Sequence, residues 1–77
     1  MGISVDLTSN LRMMLSRLMT NNTVWIDFYD SQGAWVGSWS EDTCMGEKYD
    51  RQTKMVYSTD SPMILKDFLD IMCKLYG

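Results

Sequence analysis

Four aromatic residues, Trp25, Tyr29, Trp35 and Trp39, and four carboxylates, Asp27, Asp30, Glu41 and Asp42, crowd into one stretch of the chain. These residue types suit recognition better than bond making. Indole and phenol rings supply large, stiff contact areas and are enriched at binding hot spots. Carboxylates steer an oppositely charged partner and fix its orientation. A reactive centre has far less to work with. The chain has no histidine, hence no imidazole base near neutral pH and no histidine-based triad. It carries no glycine-rich phosphate loop and no Cys/His spacing suited to zinc. Asp27 between tryptophans is a lone carboxylate, too little for paired acid–base work. Asp27, Asp30 and Glu41 could together hold a divalent ion, against the ordinary alternative of a solvated acidic surface. The residues point to a binding protein, not an enzyme, with no cofactor or metal. Its candidate contact set is Trp25, Asp27, Tyr29, Asp30, Trp35, Trp39, Glu41 and Asp42.

The element that must position this set is a hairpin from Thr23 to Ser40. Two runs of strand-forming residues flank Ser31-Gln32-Gly33, which suits a three-residue loop with Gly33 in the left-handed bulge position. Asp30 then faces Ala34, Tyr29 opposes Trp35, Phe28 opposes Val36, Asp27 opposes Gly37 and Trp25 opposes Trp39. Side chains alternate along a strand. One face therefore receives Val24, Ile26, Phe28, Ala34 and Val36, and the other Trp25, Asp27, Tyr29, Trp35, Gly37 and Trp39. The aliphatic face belongs to the core. The aromatic face, opened by Gly37, belongs to a partner, or else forms a second core layer or simple cross-strand pairs.

Around the hairpin the pattern predicts helices at both ends. Residues 1–7 alternate Ile3, Val5 and Leu7 with polar residues, as a short edge strand or a coiled lead-in. From a cap at Thr8 or Ser9 the period becomes helical, with Leu7, Leu11, Met14, Leu15, Leu18 and Met19 on one stripe and Arg12, Ser16, Arg17 and Thr20 elsewhere. Residues 41–46 read as a loop. Residues 47–59 read as one long strand, or as two short ones turning at residues 50–53, with residues 54–58 the firmer part. Ser61 as cap and Pro62 at the first helical position announce a closing helix whose broad apolar arc runs from Ile64 to Tyr76. The expected fold is a single α+β domain over residues 1–77. In it a three- to four-stranded antiparallel sheet carries an N-terminal and a C-terminal helix on its aliphatic face.

Charge narrows the kind of partner. The net charge is −3 over 77 residues, with 45% apolar content. Residues 1–20 carry +1, residues 61–77 carry 0, and residues 21–60 carry −4, so the excess sits in the sheet region. A phosphate backbone would be repelled there and a basic protein surface attracted. No apolar run approaches the roughly 20 residues that cross a bilayer, and no secretion signal is visible. A cytoplasmic protein with Cys44 and Cys73 as reduced thiols is expected. In size and acidity the chain resembles the small single-domain proteins that phages encode, anti-CRISPR inhibitors among them. That general likeness implies an inhibitor or adaptor that engages a basic or nucleic-acid-binding protein. Two alternatives use the same residues: a tryptophan platform for a carbohydrate or small ligand, and an obligate homodimer that packs its aromatic faces together.

Overall fold

The hairpin turn forms as its residues require. In the computed structural model, which describes residues 2–17 and 22–77, Asp30 N–H donates to Ala34 O at 2.9 Å and Gly33 takes a φ of 83°. Six strands follow one another across a single sheet in chain order: β1 (Gly2–Asp6), β2 (Leu11–Arg17), β3 (Val24–Asp30), β4 (Trp35–Ser40), β5 (Met45–Asp50) and β6 (Met55–Ser58). Every neighbouring pair is antiparallel. One helix, α1 (Leu65–Tyr76), closes the chain.

This architecture replaces the three- to four-stranded sheet with helices at both ends. There is no N-terminal helix over Leu11–Arg17, which is a strand paired along its whole length with β3, from Leu11 opposite Asp30 to Arg17 opposite Val24. Leu11, Met13 and Leu15 also satisfy a period of two, and a segment that fits both periods follows its neighbours, since pairing decides what propensity leaves open. The polar residues taken for a helix cap instead make a turn. Leu7 and Thr8 N–H both donate to Leu11 O, at 2.9 and 3.1 Å, and Asn10 N–H donates to Thr8 Oγ1 at 3.1 Å. The last part of the foreseen helical stripe, Leu18 and Met19, lies outside the described residues. Between residues 47 and 59 the chain takes the two-strand option, with Asp50 Oδ1 accepting from Gln52 N–H at 2.8 Å in the turn.

The expected pairing of β3 with β4 holds only next to the turn. Tyr29 faces Trp35, but Phe28 then faces Gly37, Asp27 faces Ser38, Ile26 faces Trp39 and Trp25 faces Ser40. Val36 is the extra residue of a β-bulge, and everything beyond it changes face. Gly37 and Trp39 thereby join Ile26 and Phe28, while Ser38 and Ser40 move to the side of Asp27 and Trp25.

The core forms on the Ile26 and Phe28 side from Leu11, Ile26, Phe28, Val36, Trp39, Phe68 and Met72. Two glycines let α1 settle closely. A Cβ on Gly37 would meet Met72 Cε at 2.6 Å, and one on Gly46 would overlap the Phe68 ring. Phe68 meets Phe28 edge-on, with centroids 5.5 Å apart. Ahead of the helix, residues 59–63 are tied down: Thr59 N–H donates to Gly46 O, Met63 N–H to Cys44 O, and Trp39 Nε1–H to Met63 O at 3.0 Å. These ties keep the segment extended past Pro62, so the helix begins at Leu65 with Ile64 as an N-cap that makes no side-chain bond. Five spacings of roughly 4.8 Å set the outermost of six strands about 24 Å apart, whereas one helix is about 10 Å across. The helix sits over β4, and β1 keeps Ile3 59% and Val5 40% exposed. Among the described residues, no helix is long and apolar enough to cross a membrane.

Candidate functional site

Strand alternation on β3 points Trp25, Asp27 and Tyr29 away from the helix. Trp35 joins them from β4 opposite Tyr29, the bulge brings Ser38 and Ser40 to the same side, and Met45 and Glu47 follow on β5, opposite Ser40 and Ser38. At the centre one oxygen organises two rings. Asp27 Oδ1 accepts from Trp25 Nε1–H at 3.3 Å and from Trp35 Nε1–H at 3.1 Å. The shared carboxylate favours one orientation of each indole. Asp27 Oδ2 accepts nothing from the described residues, and Trp25 remains 38% exposed.

Beside Trp25 a cavity of about 270 Å³ opens, walled by Ser38, Ser40, Asp42, Glu47 and Ser58. With Thr43, which also lines it, the cavity contains two carboxylates and four hydroxyls but no cation. Neither Asp42 nor Glu47 has a hydrogen-bond or ion-pair partner among the described residues. Two unpaired like charges close together favour any cation that can reach both.

A larger cavity, about 460 Å³, lies between the end of α1 and the β5–β6 hairpin. Two of its three charged side chains, Asp50 and Arg51, are already engaged, and the third is Lys48. Arg51 pairs with Asp30 at 2.9 Å and lies over the Tyr76 ring, 5.3 Å from its centroid. Asp50 serves its own turn, and the Tyr57 and Thr53 hydroxyls bond each other at 3.2 Å. Burial raises the Tyr76 phenol pKa above its ordinary value, and Arg51 partly opposes this. The smaller cavity keeps its charges free and adjoins the fixed indoles, and for these reasons it is the better candidate.

The residues singled out from the sequence are divided by the fold. Trp25, Asp27, Tyr29 and Trp35 come together on the open face. Trp39 does not join them: the bulge turns it under the helix, where it is 6% exposed. Asp30 is built into the hairpin turn, its carboxylate accepting from Gln32 N–H at 3.0 Å, from Ala34 N–H at 2.8 Å and from Arg51. Glu41 and Asp42 are exposed in the turn after β4, and only Asp42 reaches the cavity wall. Asp27 and Asp30 fall on opposite faces of β3, so they do not form a joint ion site with Glu41, and the described residues contain no cluster of three metal-ligating groups. The candidate contact set omitted Ser38, Ser40 and Ser58, and also Glu47, although Glu47 belongs to the acidic excess of the sheet region. The first two depend on the bulge. The last two oppose each other across the β5–β6 pair, with Glu47 also facing Ser38. No protein-family model matches this chain, and neither a curated protein nor a solved structure matches it.

Proposed function

We propose that this protein is a recognition module whose open sheet face binds a partner protein through a lysine or arginine side chain. The observation that carries this is the pair of indoles fixed by Asp27 beside a cavity with two unpaired carboxylates and no cation. A guanidinium or ammonium entering that cavity meets Asp42 and Glu47 and passes the face of Trp25, an arrangement that adds cation–π attraction to ion pairing. Rings already held in one orientation lose little entropy on binding. The acidic excess of residues 21–60 supports a basic protein surface as the target and opposes nucleic acid.

Tryptophan fluorescence tests the proposal with two peptides of equal length, one arginine-rich and one uncharged. The arginine peptide alone is expected to bind, less tightly as salt rises, and at least tenfold more weakly to the variant carrying Asp42→Asn and Glu47→Gln, on the order of 1.4 kcal/mol. Equal binding of both peptides would end this proposal. The hydroxyls of Ser38, Ser40 and Ser58 around an exposed indole favour a second reading, a sugar stacked on Trp25. Such a ligand would lose affinity with Trp25→Ala and ignore salt.

A further inference from the structure

β1 is an edge of the sheet with a usable row of backbone groups. Leu7 N–H bonds to Leu11 O, so by alternation the backbones of Ile3 and Val5 serve β2 while the N–H and C=O of Gly2, Ser4 and Asp6 point outward. Natural edges are usually guarded by lysine, proline, a bulge or extreme shortness. Gly2–Asp6 has none of these and leaves Ile3 and Val5 exposed. The other edge is shorter. β6 has four residues and follows Lys54 in a left-handed turn, with Met55, Val56 and Tyr57 exposed along it.

We propose that β1 is the seam of a homodimer, in which β1 of one copy pairs antiparallel with β1 of a second about a two-fold axis at Ser4. The sequence of the strand is complementary to itself. Outward residues must face outward residues across the seam, and the register that uses the whole strand sets Gly2 against Asp6, Ile3 against Val5, and Ser4 against Ser4. The aliphatic side chains then meet as close cross-strand pairs. No carboxylate opposes another, and Asp6 is already paired with Arg12 at 3.0 Å within its own chain. The product is a continuous sheet with both helices on one side and both Asp27 clusters on the other. Five strand spacings separate the two β3 strands, about 24 Å. A partner with two basic segments would meet both clusters at once, with the gain in avidity that follows.

Sedimentation velocity across a broad concentration range tests the seam independently of any partner. The wild-type chain is expected at twice its monomer mass, dissociating on dilution. Ser4→Pro removes an outward N–H that β2 does not use and should give a monomer with an unchanged circular dichroism spectrum. The doubly substituted Ile3→Lys and Val5→Lys chain alters only side chains that are exposed in the monomer and should behave the same way. In a background lacking Cys44 and Cys73, Ser4→Cys should cross-link under mild oxidation and Ser58→Cys should not. A wild-type monomer at every concentration would overturn the proposal. So would a dimer that survives both the proline and the lysine substitutions.

Discussion

Asp27 and Asp30 are three residues apart on one strand and do different work. Asp27 holds two indoles on the open face, whereas Asp30 closes a turn and receives Arg51, with its side chain 12% exposed. Asp30→Ala leaves Arg51 without its partner and two turn N–H groups without an acceptor. A loss of about 2–4 kcal/mol is expected in urea unfolding, with the binding face intact. Asp27→Ala should cost less, about 1–2 kcal/mol, because its surroundings are wetter. It should nevertheless release both indoles and weaken peptide binding as much as removing the cavity carboxylates. Tyr76 offers a pH test. Its pKa is raised above 10.0 by burial, so the folded state holds that proton more tightly than the unfolded chain. The contribution to stability is complete below the unfolded-state value and fades as pH rises through the folded one. Tyr76→Phe should flatten the alkaline decline in unfolding free energy relative to the wild type.

The elements show where local pattern suffices and where it does not. The Ser31-Gln32-Gly33 turn was legible because its glycine has to take a positive φ, whereas the turn at residues 50–53, where Asp50 caps its own loop, was one of two options the pattern left open. The fate of Leu11–Arg17 was not legible, because its apolar residues satisfy both the helical and the strand period and nothing inside the segment shows that it pairs with the strands on either side of it. The bulge was hidden for another reason. Trp35 and Val36 suit a strand, and Gly37, of a type that often marks a bulge, does not say which neighbour lacks a partner on β3. One unmarked residue sent Trp39 into the core and brought two serines to the site. Deleting Val36 should return Trp39 to the open face, breaking its bond to Met63 and emptying the space beneath the helix. A loss of about 3 kcal/mol or more is expected, read from the shift of the denaturation midpoint.

At the scale of the molecule, the one helix among the described residues lies on a six-stranded sheet and divides the labour between faces. The helix seals the middle of one face through Phe68 and Met72, which rest on Gly46 and Gly37. Gly46→Ala should push Phe68 off β5 and destabilise the domain by about 1–3 kcal/mol, read from thermal unfolding, while leaving the opposite face unchanged. That opposite face carries the fixed indoles and the unpaired carboxylates, and the proposed function rests on their acting together. The most direct test is a chemical-shift map of the ¹⁵N-labelled protein titrated with the arginine-rich peptide. The Trp25 and Trp35 indole N–H signals and the amides of Ser38, Glu47 and Ser58 should move together and saturate at one affinity. Shifts confined to Lys48, Tyr57 and Tyr76, or none on the Asp27 side of the sheet, would contradict the account.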